Sequence, residues 1–133
     1  MTNRALPNPF PWAADYQYSQ SVLTEGELVF TAGQGGFGDD GMVVSADPVE
    51  QIRRAFANVD AALRAGGASL ETIVKMTVFL ADDALRRLKT VRAELFSPPY
   101  PASTALVAGG FLFDGMLVEI DAVAVRGAVR RPQ

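Results

Sequence analysis

Glu119 is the residue best placed to do chemistry in this chain. It lies in the run MLVEIDAVA from Met116 to Ala124, nine residues that are apolar or small apart from Glu119 and Asp121. A carboxylate in such a run loses hydration unless it is paired, and burial raises its pKa toward the range useful for proton transfer. Two readings stand side by side. One is a tuned carboxylate that handles a proton or a water. The other is a structural acid, Glu119 or Asp121, paired with Lys75 or with an arginine of a neighbouring strand or subunit.

Little other acid-base machinery is available. The 133 residues include no histidine and no cysteine. That removes imidazole bases, Ser-His-Asp triads, thiolate nucleophiles, disulfides and Cys- or His-based zinc sites. Asp39-Asp40 and Asp82-Asp83 stand in a loop and at a helix start without a partner set, so neither a metal nor another cofactor is expected. The glycines at 33, 35, 36, 38 and 41 do not lead directly into a helix, and turn geometry accounts for them better than a nucleotide loop does. Twelve Lys and Arg against fifteen Asp and Glu leave a net charge of -3, without the basic stripe that nucleic acid requires. Arg126, Arg130 and Arg131 near the terminus read as solvated. No apolar run approaches the roughly 18–20 residues of a membrane span, and MTNRALPNPFPWAAD does not read as a secretory signal. The expected location is therefore the cytoplasm.

The elements that must position Glu119 make one domain over 1–133, with an arm at 1–17 and a tail at 126–133. Pro7, Pro9 and Pro11 exclude helix and central strand from the arm, where Phe10 and Trp12 are expected to pin it to a surface. Strands are expected at Ser19–Leu23 and Glu27–Ala32, joined by a turn at Thr24-Glu25-Gly26. Asp47 as N-cap, Pro48 at the first helical position and a capping-box-like Glu50 open a helix that ends at Gly66-Gly67. Its apolar stripe is Ile52, Ala55, Phe56, Val59 and Leu63. A strand at Thr72–Ala81 precedes a second helix, from about Asp82 or Asp83 to Phe96, with Leu85, Leu88, Val91 and Leu95 inward. Strands at Ser103–Ala108 and Met116–Val125 close an α+β domain with both helices on one face of a mixed sheet. Between them, Phe111 and Phe113 belong either to a plain hairpin or to the rim of a cleft.

The period of two divides the strands into faces. Val74, Met76, Val78 and Leu80 suit the underside of helices, as do Val118, Ile120, Ala122 and Ala124. Ile73, Lys75, Thr77 and Phe79 share the other face with Leu117, Glu119, Asp121 and Val123. Such a face is too apolar to stand in water, so self-association is expected.

Taken together, the chain resembles the RidA (reactive intermediate deaminase, YjgF-like) family. Tyr18-Ser19-Gln20-Ser21-Val22 is similar to the family's Y-x-Q-x-V start, and Phe30-Thr31-Ala32-Gly33-Gln34 to its G-Q turn. Gln51, Arg53, Phe56, Asn58 and Val59 fit Q-x-R-x-x-[LF]-x-N-V. Ile73–Leu80, Tyr100-Pro101-Ala102 and Leu117–Val125 fit the later segments, so the resemblance spans residues 16–125. It implies a chorismate-mutase-like fold, a homotrimer with small-molecule clefts between subunits, and hydrolysis of enamines or imines to ketones and ammonia. It assigns Glu119 to positioning the attacking water, and Tyr18, Ala32, Gly33, Ser103, Thr104 and Ala105 to the cleft lining.

One departure bears on the substrate. The family's active deaminases read P-A-R-[ST], with the arginine clamping a substrate carboxylate; here the segment is Pro101-Ala102-Ser103-Thr104. A neutral hydroxyl in place of that cation forfeits several kcal/mol of binding. Many relatives have Cys at position 105, where this chain has Ala. A replacement cation would have to come from Arg92 or from a neighbouring chain. The expectation is a hydrolase of imine or enamine type with an altered substrate class, Ser103 and Thr104 donating neutral hydrogen bonds. The alternative is a trimeric module that binds a metabolite or a protein without catalysis.

Overall fold

The computed structural model describes residues 2–132. Two long strands form the centre of the sheet, β4 (Ile73–Leu80) and β6 (Val118–Val125), antiparallel with Thr77 opposite Asp121 and Phe79 opposite Glu119. β3 (Leu28–Phe30) pairs with the far side of β6, and β5 (Ala102–Val107) runs parallel to β4 on the other side. The order is β3-β6-β4-β5, so β5 is an edge. The alternation read from the sequence holds for Met76, Val78 and Leu80 and for Val118, Ile120, Ala122 and Ala124, all buried in one core. It fails at Ile73. A bulge between Ile73 and Lys75 makes Val74 the extra residue, and Ile73 turns to the core opposite Ala124. Leu117, expected on the other face, also packs against the core.

Two expected features of the first quarter are corrected. The strand at Ser19–Leu23 begins later, as β2 (Val22–Glu25), and does not form a hairpin with β3. It pairs instead with β1 (Thr2–Ala5) in a separate two-stranded sheet. The arm thus starts as a strand, ahead of its prolines, and Arg131 bridges to its other side. The prolines then limit local structure to one helical turn at Pro11–Ala13.

Helix α1 (Pro48–Arg64) begins as its sequence dictates, with the Asp47 side chain accepting from the Val49 amide at 3.0 Å. Glu50 does not complete a capping box. Ser45 Oγ accepts the Asp47 amide instead, and Glu50 pairs with Arg53. Beyond Arg64, Gly67 takes φ +81°, and the Ala68 amide returns to the Leu63 carbonyl, ending the helix. Ile52, Phe56, Val59 and Leu63 are fully buried. At about 1.5–3 kcal/mol for each buried large apolar side chain, this stripe is what binds α1 to the sheet.

Helix α2 (Leu85–Leu95), preceded by a turn at Asp82–Ala84, crosses from β4 to β5. Its inward face differs from the expected one: Leu88, Val91 and Arg92 are buried, while Leu85 and Leu95 are exposed. Both helices cover the same face, and their residues share one core with β4 and β6. The opposite face carries Phe30, Leu28 and Leu106 in the open, with Phe30 71% exposed, beside half-buried Lys75, Thr77, Phe79, Glu119, Asp121 and Val123.

Residues 108–117 are not a hairpin, because β4 lies between β5 and β6. They loop over the end of β4, and buried Gln51 of α1 holds them there. Its amide donates to Ser45 O and Gly115 O at 2.7 and 2.8 Å and accepts from the Leu117 amide at 2.9 Å. The tail is likewise not wholly solvated. Arg130, 8% exposed, donates to the carbonyls of Pro99, Leu70 and Ile73 and lies over the Phe96 ring.

Candidate functional site

The Glu119 carboxylate is positioned by an irregularity where the chain leaves β3. The Thr31 amide donates to Ala122 O and the Gln34 amide to Ile120 O. Between those bonds Ala32 and Gly33 together oppose Asp121, one residue more than regular pairing allows. Thr31 Oγ1 closes the bulge by accepting the Ala122 amide at 3.0 Å. Neither the Ala32 nor the Gly33 amide meets an acceptor among the described residues, and both residues are exposed. Glu119 lies directly over Gly33: a β-carbon at position 33 would stand 2.8 Å from Glu119 Cδ and Oε2. Glycine is what lets the carboxylate sit there. The ion pair that a structural acid would need is not made. Among the described residues neither Glu119 nor Asp121 forms a salt bridge, and Lys75 donates to Thr104 Oγ1 and Met76 O.

A second constellation lies at the β5 edge. Tyr18, Arg92, Ser103, Thr104 and Ala105 line a cavity of about 310 Å³. Tyr18 reaches it because Ser19 docks on the start of β5, its amide donating to Pro101 O at 3.0 Å and its hydroxyl to Tyr100 O at 2.5 Å. Ser103 shares the helix-covered face with its neighbour Met76, whereas Thr104 shares the open face with Thr77. Each hydroxyl is engaged by a cation on its own side. Arg92 Nη2 donates to Ser103 Oγ at 2.5 Å and Lys75 Nζ to Thr104 Oγ1 at 2.8 Å. Guanidinium and ammonium have no acceptor, so both hydroxyls accept from them, and each keeps its own O–H to donate. Burial lowers the pKa of both cations. Arg92 is pushed down to about 10 by desolvation, partly offset by Tyr18, and Lys75 is lowered by desolvation against the pull of Asp121.

The chain does not bring all the expected site residues together. Glu119, Ala32 and Gly33 belong to the open face and the β3–β6 side, whereas Tyr18, Ser103 and Ala105 lie at the far edge on the helix-covered side. Residues 10–18 also carry a run of contacting rings into this edge: Phe10 stacked on Trp12, Trp12 edge-on to Tyr16, and Tyr16 stacked on Tyr18 at 5.5 Å. Trp12 is mostly exposed rather than pinned beneath the arm. Several polar residues of the helix pattern are structural. Besides Gln51, Asn58 donates to Gly35 O and Phe37 O, holding the glycine loop against α1. Arg53 joins α1 to α2 through Glu94.

Residues 11–126 match the family described as endoribonuclease L-PSP. The chain belongs to the RidA/YjgF family. It is 38% identical over 96 residues to the RutC family protein YjgH of Escherichia coli, covering 70% of this chain and 72% of that protein. It is 34% identical over 117 residues to the 2-iminobutanoate/2-iminopropanoate deaminase of goat, Capra hircus, covering 86% and 84%. The crystal structure of the Rid-family protein YyfB from Yersinia pestis superposes with a TM-score of 0.81 at 22% identity, covering 94% of this chain and 99% of that one. That identity speaks for the RidA/YjgF fold alone. The α+β architecture with two helices on one side of the sheet is the RidA/YjgF arrangement.

Proposed function

We propose that the protein is a small-molecule hydrolase that releases ammonia from imines or enamines. The observation that carries this reading is the Glu119 carboxylate, which among the described residues meets no cation and lies over Gly33 beside two amides without acceptors. A carboxylate so placed can hold a water and accept its proton as the oxygen adds to an imine carbon. Hydrolysis then proceeds through a tetrahedral adduct, and ammonia departs with the proton returned to nitrogen. The Ala32 and Gly33 amides are donors available to polarise the substrate or the water. No metal or redox cofactor enters this sequence. Similarity to proteins named 2-iminobutanoate/2-iminopropanoate deaminase supports the same reaction class.

The cleft is formed between copies of the chain. Glu119 and Gly33 supply one wall, and Tyr18, Ser103, Thr104 and Ala105 of a neighbour supply the other. Apolar Phe30, Leu28 and Leu106 on the open face favour such association, and a homotrimer is the assembly we assign. With Ser103 in the strand, recognition of the substrate does not depend on a cation carried by β5.

The test is ammonia release from 2-iminobutanoate and 2-iminopropanoate generated in solution, by the wild type and by Glu119→Gln. We expect wild-type turnover and a loss of at least about 100-fold in the variant, with an unchanged circular dichroism spectrum. Equal turnover removes Glu119 from the mechanism. Binding of small molecules without conversion by the wild type identifies a non-catalytic module instead.

A further inference from the structure

Among the described residues two arginines are buried, and they are treated very differently. Arg130 is surrounded by acceptors: Nε donates to Pro99 O at 3.1 Å, and Nη1 to Leu70 O at 2.7 Å and Ile73 O at 3.1 Å, while Phe96 lies under the guanidinium at 5.7 Å. It is a structural cross-link between the tail and the sheet. Arg92 is 6% exposed and makes one hydrogen bond, to the neutral Ser103 hydroxyl. Its Nε is buried and meets no acceptor among the described residues. Among the described residues no carboxylate pairs with it.

We propose that Arg92 is a ligand-binding residue whose guanidinium receives the carboxylate of a small organic acid in the cavity lined by Tyr18, Ser103, Thr104 and Ala105. This rests on the imine-hydrolase reading above and adds to it the residue of this chain that holds the substrate. A buried cation without a counter-ion is costly, and the cost is recovered when an anion enters. Desolvation lowers Arg92 only to about 10, so it carries its charge at neutral pH. The cavity, about 310 Å³, is at the small end of ligand sites and suits an acid of a few carbons. A second hollow of about 320 Å³ shares Arg92, Tyr18 and Ala105 with it and adds Lys89 and Asp15, whose opposite charges offset, so Arg92 remains its uncompensated cation.

Ser103 is the natural complement of this arginine. Its oxygen accepts from Arg92, which leaves its own O–H free to donate to the same anion. The Tyr18 phenol, which also lines the cavity, provides another donor. The charge that position 103 lacks is thus delivered from α2, and a carboxylate-bearing substrate remains admissible. A side chain as short as Ser at position 103 is what allows Arg92 to reach the cavity.

The test is calorimetric titration of the full-length protein with 2-oxobutanoate, 2-oxobutanamide and inorganic phosphate. We expect the acid to bind at least about tenfold more tightly than the amide or phosphate. Arg92→Met should lose that preference, and Arg92→Met combined with Ser103→Arg should regain it. Arg92→Lys, which keeps the charge without the planar fork, should fall between wild type and Arg92→Met. Equal binding of acid and amide by the wild type overturns the assignment, as does undiminished acid binding by a folded Arg92→Met. Phosphate binding as tightly as the acid also overturns it, in favour of a general anion site. Glu119→Gln changes the opposite wall and should keep the preference for 2-oxobutanoate over 2-oxobutanamide, whatever its absolute affinity. Failure of the hydrolase reading would therefore appear as absent ammonia release with carboxylate binding intact, and failure of this inference as the reverse.

Discussion

Glu119 and Gly33 are in contact across two chain segments, the carboxylate resting where a side chain at position 33 would be. The contact couples a backbone irregularity to an acid, and it gives a direct test of positioning. Gly33→Ala inserts a methyl 2.8 Å from Glu119 Cδ and Oε2, so the carboxylate must swing away from the free amides. Turnover should fall by about 10- to 100-fold, while the melting temperature changes little because Gly33 is exposed and its φ is not positive. Unchanged kcat would show that the carboxylate works from another position.

The two buried arginines should respond to the same substitution with opposite signs. Arg130→Met strips three carbonyls of their donor and should destabilise the fold by about 2–4 kcal/mol. Arg92→Met removes an uncompensated charge and should stabilise it by about 1–3 kcal/mol at neutral pH. The comparison is made by urea unfolding of both variants; two losses of similar size would assign Arg92 a structural role.

A pH series sharpens the second case. Arg92 binds its proton less tightly folded, at about 10, than in the unfolded chain, where the guanidinium is hydrated and keeps its higher ordinary value. Between those values the unfolded state holds more protons, so wild-type stability gains on Arg92→Met as pH rises. Below about pH 10 the difference between the two should be flat. Arg130 is also lowered to about 10, but it is common to both proteins and cancels.

Gln51 is predicted to be a stability residue despite its polar side chain. Gln51→Ala leaves Ser45 O, Gly115 O and the Leu117 amide without their partner. The expected cost is about 2–4 kcal/mol by denaturant unfolding. A loss below about 1 kcal/mol would mean that the 108–117 loop is held by other contacts.

Shared clefts predict complementation between inactive proteins. Glu119→Gln and Arg92→Met each disable one wall, and neither should turn over an imino acid efficiently alone. After co-refolding at equal ratio, random assembly leaves about a quarter of the interfaces with both walls intact, and activity should return to about that fraction of wild type. No recovery in verified mixed oligomers would place both walls within one chain.

The parts of the fold legible in the sequence are those governed by local pattern. Asp47 and Pro48 mark the start of α1, and alternation in 75–80 and 118–124 separates core from open face. The bulge at Val74 and the pairing of β1 with β2 depend on contacts far along the chain, and no local period encodes them. Rotation of α2 was hidden for a chemical reason. A periodicity count treats arginine as polar, so it puts Leu85 and Leu95 on the buried face and leaves Arg92 out of it. The structure reverses that, because a long aliphatic stem can be buried as its head reaches a cavity. Glu119, Gly33, Tyr18 and Ser103 were legible as site candidates. That Ser103 is the partner of Arg92 was not, since residues eleven apart on helix and strand meet only after β5 docks.

Ser103 and Thr104 are consecutive, and the cations that hold them lie on opposite faces of an edge strand. The strand presents unpaired backbone groups to solvent, which invites lateral addition of another strand. Two β5 edges brought side by side would bring two arginines and two lysines together in a low-dielectric seam. Mutual repulsion makes that pairing unfavourable, most strongly at low ionic strength. The two cations that hold Ser103 and Thr104 thus also weigh against pairing of one copy's β5 edge with another's.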